Sequence, residues 1–186
     1  MELKGERMLP SDQATAWAAL TDVDLLKLCI PGCESITALE GNRYEIMMTA
    51  AVGPVKSKFK GTLEMADVMA PGSYTLKFEG SGGAAGFARG ASQVRLTPQG
   101  PQQTLLTYVA NAQVGGKLAQ VGSRLIDAAA GATADKFFEA FGEQLAARAR
   151  IAGAPAGASV PAAPKPASFG LWSLVKAFFK RLFAGK

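Results

Sequence analysis

Apolar and polar positions change their spacing twice along the chain. Alternation over residues 3–9 predicts a short strand with Leu3, Gly5 and Leu9 on one side, and Pro10 ends it. Ser11 then reads as the N-cap of a helix over 12–20, where Ala16, Trp17 and Leu20 recur at helical spacing. A second short helix follows Thr21 and stops before Pro31-Gly32, because a proline disfavours helical backbone at the residue preceding it.

From Cys33 to Val114 the period is two. Tyr44, Ile46, Met48, Ala50 and Val52 alternate with Glu45, Met47, Thr49 and Ala51; Phe59, Leu63 and Met65 alternate with Lys58, Lys60, Thr62 and Glu64; Tyr74, Leu76 and Phe78 alternate with Thr75, Lys77 and Glu79. Each run predicts a half-buried antiparallel strand, and Gly41-Asn42, Gly53-Pro54, Pro71-Gly72 and residues 98–101 supply turns. Two further strands fall at about 91–97 and 103–114. After Gly115-Gly116 a helical pattern runs to about Arg150. Its first half sets Leu118, Val121, Gly122, Leu125 and Ala129 on one face, whereas Phe138, Phe141 and Leu145 fall on a rotated face, which predicts a kink near Gly131.

The order is one strand, two short helices, about six antiparallel strands and a long helix. A curved sheet cannot bury its concave face alone, so the helix must lie across it. The expected fold is therefore α+β and helix-grip: a curved antiparallel sheet of about seven strands around a long C-terminal helix, enclosing an apolar cavity.

Composition divides the chain further. Residues 1–150 are electrically neutral, so the net charge of +5 belongs to the segment after them, which carries five Lys or Arg and no acid. An Ala/Pro-rich stretch over 151–167 reads as a flexible linker. In 168–186, Leu171, Trp172, Leu174, Val175, Phe178, Phe179, Leu182 and Phe183 cover about half of a helical wheel, with Lys176, Lys180 and Arg181 opposite or at its margins. That is the pattern of an amphipathic helix lying on an anionic membrane, too short and too charged to span one; the alternative is docking on the parent domain or in a partner's groove. Cations interleaved with aromatic residues do not suit a nucleic-acid arm, so no nucleic-acid partner is expected.

The chain has no histidine, which removes the commonest general base and metal ligand. Cys29 and Cys33 cannot complete a four-ligand zinc set, and no metal site is expected. Residues 80–90 are glycine-rich but lack the Gly-Lys-Ser/Thr ending of a phosphate loop. The first residues show no apolar stretch of a secretory signal, so a cytoplasmic protein with reduced thiols is expected, peripheral on the inner face of the cell membrane.

Several segments together resemble the CoxG family of carbon monoxide dehydrogenase subunits, within the START-like, or SRPBCC, superfamily. They are 17–32 with the Cys29-Ile30-Pro31-Gly32-Cys33-Glu34 ending, 52–61, the glycine run 80–90, 107–126 and the Phe137-Phe138 pair. The resemblance covers about 1–145. Asn111 and Ala112 stand where many members carry an acidic residue, so no role is carried over there. The resemblance implies the helix-grip fold and association with a molybdenum-containing carbon monoxide dehydrogenase or related hydroxylase. It also implies a link between that enzyme and the membrane, which a cavity for a respiratory quinone such as menaquinone or ubiquinone would provide.

Candidate cavity residues are Tyr44, Ile46, Met48, Phe59, Leu76, Phe78, Phe87 and Tyr108 from the sheet, with Leu118, Val121, Gly122, Leu125 and Ala129 from the helix. The same residues would also fill a closed core; the nearby glycines and the alanine run 128–132 favour a void. The expected protein is a non-catalytic, membrane-tethered carrier of a lipophilic ligand with no covalently bound cofactor. The alternatives are an adaptor with a dry core that recruits or assembles the enzyme, through a face such as Lys56, Lys58 and Lys60, and a cyclase-type enzyme using Tyr44, Tyr108 and Arg89.

Overall fold

The structure is a computed structural model and describes residues 1–152. Seven antiparallel strands form one curved sheet in the order β1-β7-β6-β5-β4-β3-β2. They are β1 Glu2–Leu9, β2 Cys33–Ala38, β3 Arg43–Val52, β4 Val55–Met69, β5 Ser73–Ser81, β6 Phe87–Gly100 and β7 Gln103–Gly115. From β2 to β7 every strand pairs with the next through a short turn, while β1 closes the far side against β7. The chain leaving β1 must therefore cross the whole sheet, roughly 29 Å at ~4.8 Å per strand, before it enters β2.

Helices α1 (Gln13–Leu20) and α2 (Val23–Cys29) make that crossing. Asp12, not Ser11, caps α1: its backbone is extended and its carboxylate accepts from the Thr15 amide at 3.0 Å and the Thr15 hydroxyl at 2.6 Å. Ser11 is buried one step earlier, where its carbonyl accepts from the Thr104 hydroxyl at 2.9 Å and ties the loop to β7. Asp22 caps α2 in the same manner, accepting from the Leu25 amide at 3.1 Å.

After β7 come α3 (Lys117–Gln120) and α4 (Ser123–Ala152). The expected kink near Gly131 is absent, since α4 runs unbroken through it and two residues into the stretch assigned to the linker. The break lies earlier, at Gly122, whose φ of +92° no helix can continue. The two helical faces need no reconciling, because only the second half of α4 packs tightly. Phe141 and Leu145 are 0% exposed and join Leu9, Ala16, Ala19, Leu20, Leu25, Leu96 and Leu106 in one core against α1, α2 and the β1 side of the sheet. The first half of α4, rich in alanine, has little apolar area to bury and is largely exposed. Among the described residues no helix is long and apolar enough to cross a membrane. The rest of the linker and the whole amphipathic tail, 168–186, lie outside the described residues.

Candidate ligand cavity

Two rules of strand geometry place the cavity floor. Side chains alternate between faces, and antiparallel register puts residues of different strands in rows. One row on the inner face is Tyr74, Val94 and Tyr108; the next is Met65, Leu76 and Ser92; a third begins with Tyr44 and Leu63. Above them lies a cavity of about 280 Å³, closed by Leu20 and Thr21 at the end of α1, by Val23, Leu26 and Ile30 of α2, and by Phe137 and Phe138 of α4, with Ile36 and Leu106 completing the lining.

Aromatic packing holds the walls. Phe138 stacks on Tyr108 at 5.4 Å between centroids, Phe137 meets Phe138 edge-on at 5.0 Å and stacks on Phe141 at 5.6 Å, and Trp17 stands edge-on to Tyr74 at 5.7 Å. Among the described residues no charged side chain lines the cavity. Its polar groups are hydroxyls: Thr21, which is already committed to the Trp17 and Ala18 carbonyls at 3.1 and 3.2 Å, together with Tyr44, Tyr74, Ser92 and Tyr108. Burial pushes the Tyr74 hydroxyl up to about 12, so it keeps its proton over the whole physiological range.

Charges stand outside the lining and fasten α4 across it. Arg7 of β1 pairs with Asp135 and lies 5.5 Å over the Phe138 ring. Arg148 pairs with Asp22 at 2.5 Å, and this guanidinium, with the Leu25 amide, holds the Asp22 carboxyl below its usual range.

Of the residues expected at the cavity, the structure brings Tyr44, Leu76 and Tyr108 to it. Ile46, Met48, Phe59 and Phe78 share their sheet face by register but do not line the cavity: Ile46 and Phe78 sit beside the lining residues Ile36 and Leu63, and the Phe59 ring packs over Gly82. Phe87 belongs to the outer face instead. It shares a side with Arg89, which sits 5.9 Å over its ring, covers Gly115 and is 42% exposed. Leu118 is the buried residue of α3, Val121 and Gly122 form the helix break, Leu125 is 49% exposed and Ala129 lies on the loosely packed half of α4; none of the five lines the cavity. The helix wall is aromatic rather than small, because phenylalanine is what buries enough area to pin a helix to a sheet. Sequence reasoning missed the α1–α2 wall, the floor residues Leu63, Met65, Tyr74, Ser92 and Val94, and the helix wall of Phe137 and Phe138. The strand alternation contained Leu63, Met65 and Tyr74, but only register shows which rows meet.

Lys56, Lys58 and Lys60 are exposed on the outer face, where Lys58 pairs with Glu34 at 3.0 Å and Lys60 with Glu45 at 2.9 Å. Cys29 and Cys33 are free, and burial pushes both thiols up. The glycine run contains a 3-10 turn at Gly83–Ala85, and Gly86, at φ +114°, passes so close to β7 that a side-chain carbon there would lie 2.0 Å from the Gly115 carbonyl oxygen. A larger trough of about 690 Å³ touches Arg43, Glu64, Lys77, Glu79 and Arg89, yet it is open to solvent, and within it Lys77 pairs with Glu64 at 3.1 Å. The apolar cavity between the sheet and the helices is the better ligand site.

A curved sheet gripping a helix above an apolar cavity defines a START-like helix-grip protein, and solved structures share this fold. A conserved protein from Geobacillus kaustophilus has 30% identity, with 79% of this chain and 96% of that one covered at a TM-score of 0.75. Zhui aromatase/cyclase from Streptomyces sp. R1128 has 13% identity, covering 82% and 98% at 0.60. A START superfamily protein from Mycobacterium smegmatis has 11% identity, covering 79% and 98% at 0.61. No curated protein matches the sequence. Residues 5–146 match the family model for CoxG, described as a carbon monoxide dehydrogenase subunit, and the chain belongs to that family.

Proposed function

We propose that this chain binds a lipophilic molecule, a respiratory quinone such as menaquinone or ubiquinone, and carries it between a membrane and a molybdenum-containing carbon monoxide dehydrogenase or related hydroxylase. The observation that carries the reading is the uncharged cavity of about 280 Å³ between sheet and helix. Ligand sites span roughly 300–1,000 Å³, so this one suits a ring system, with the isoprenoid chain extending beyond it. The family's description as a subunit of carbon monoxide dehydrogenase supports the partner. The basic, aromatic sequence of 168–186 supports a peripheral place on the inner face of the membrane.

The protein's own part in this proposal is to bind, shield and deliver. Electron chemistry belongs to the quinone and the partner's cofactors. Native mass spectrometry of the full-length protein, purified gently from its own cells, tests it: an adduct with the mass of a quinone is expected. A bare protein, together with solvent extracts free of quinone, would overturn the carrier reading.

A further inference from the structure

All three tyrosines of the chain, Tyr44, Tyr74 and Tyr108, line the cavity, and among the described residues no Lys, Arg, Asp or Glu does. Tyr74 is the most telling. It is 8% exposed, and burial alone governs its hydroxyl, with no hydrogen bond opposing it. Its hydroxyl is not among the fully enclosed, unpartnered polar atoms of the described residues, of which Ser11 Oγ is the single case, so some space remains in front of it. A donor buried without a partner costs free energy unless something in that space accepts from it.

The ring itself is fixed. Trp17 flanks it edge-on at 5.7 Å, and Tyr74 and Tyr108 both pair with Val94 across the sheet, leaving their backbones roughly 10 Å apart. Tyr108 is held by its stack with Phe138. The Tyr108 ring lines the same row but carries its hydroxyl over Gly5 of β1, so Tyr74, with Tyr44 beside Leu63 on another row, faces a space whose remaining lining is almost wholly apolar.

We infer that the cavity selects a neutral, planar ring bearing carbonyl oxygens, that the Tyr74 hydroxyl donates to one of those oxygens with Tyr44 reaching another, and that carboxylate lipids of similar girth are refused. The chemistry is selective in two directions. A phenol that stays protonated offers a hydrogen to a carbonyl, while a carboxylate would leave water without meeting a cation. This inference rests on the carrier reading and names the ligand chemistry of the same cavity.

Calorimetric titration of the full-length protein with menadione, methylnaphthalene and naphthoate at pH 7 tests it, since the three share a ring system and differ in oxygens and charge. Wild type is expected to bind menadione about tenfold more tightly than methylnaphthalene, the size of one good hydrogen bond, and naphthoate most weakly. Tyr74→Phe should weaken menadione about five- to tenfold and leave methylnaphthalene unchanged; Tyr44→Phe, at a less buried position, gives a second reading if the first variant folds poorly. Equal affinity of wild type for menadione and methylnaphthalene, or unchanged menadione binding in well-folded Tyr→Phe variants, overturns the inference and leaves the apolar-ligand reading standing. Failure of wild type to bind any of the three overturns both.

Discussion

Asp22 joins three parts of the molecule at one residue. It caps α2, pairs with Arg148 of α4 and stands between Thr21 and Val23 of the cavity wall. Replacing it with alanine removes the cap and the ion pair, and the cap alone is worth about 1 kcal/mol. The pair is partly exposed and screened, so its share is small. Because the folded carboxyl titrates below its unfolded value, its stabilising effect is complete above about pH 4 and is lost as pH falls through the lower folded value. Thermal melts of wild type and Asp22→Ala should therefore differ by a constant amount from neutral pH down to about 5, and part of that gap should close below about pH 3. A gap unchanged in acid would mean that the charge contributes nothing. At this scale the sequence was partly readable. The helix after Thr21 was visible, but Ser11 and Asp12 are both good caps, and the choice between them depended on which backbone was extended and which side chain was buried.

Elements follow a different logic, in which area buried decides which part of a pattern matters. In α4 the Ala/Gly half and the Phe half both have the spacing of packing faces, and a kink at Gly131 would have brought them into line. In the structure the Phe half packs and the other is largely free, so Gly131 is an ordinary helical residue with open space where a side-chain carbon would go. Gly131→Ala should then stabilise the fold by about 0.5–1 kcal/mol in urea unfolding, since alanine restricts the unfolded chain and suits the helix. Were Gly131 a hinge or a contact point, the same change would destabilise. Phe141→Ala, removing a fully buried ring from the core, should cost about 3–5 kcal/mol in the same assay. Strand existence and the inward parity of Tyr44, Leu76 and Tyr108 were legible because alternation is a local property. The rows were not: the register of β5 on β6 and β6 on β7, which aligns Tyr74, Val94 and Tyr108, depends on turns far from those residues. Phe87 marks where residue type misleads, for its ring has the composition of a core residue and the pleat turns it outward.

For the whole molecule, the carrier and adaptor readings place function in different parts of the chain. A carrier needs the cavity within 1–152, whereas the adaptor needs only an attachment and a docking face. Ser92 lines the floor and is small, so Ser92→Leu should fill the void and remove a polar group from apolar surroundings. Expected results are loss of menadione binding, an unchanged or raised melting temperature, and unchanged sedimentation with vesicles containing anionic lipid. Membrane attachment should answer to other residues. Lys176, Lys180, Arg181 and Lys186 at roughly 1 kcal/mol each reach only about 4 kcal/mol, which is millimolar binding, so inserted side chains must supply the rest. Phe178→Ser with Phe179→Ser should accordingly abolish vesicle binding even at low ionic strength and leave menadione affinity unchanged, whereas raising salt on the wild type should weaken binding without ending it. In an electron-transfer assay with the partner enzyme and membranes, each variant should then fail for its own reason. If the cavity-filled protein supported full electron transfer while the tail variant did not, the void would be incidental and the chain would act as a membrane dock.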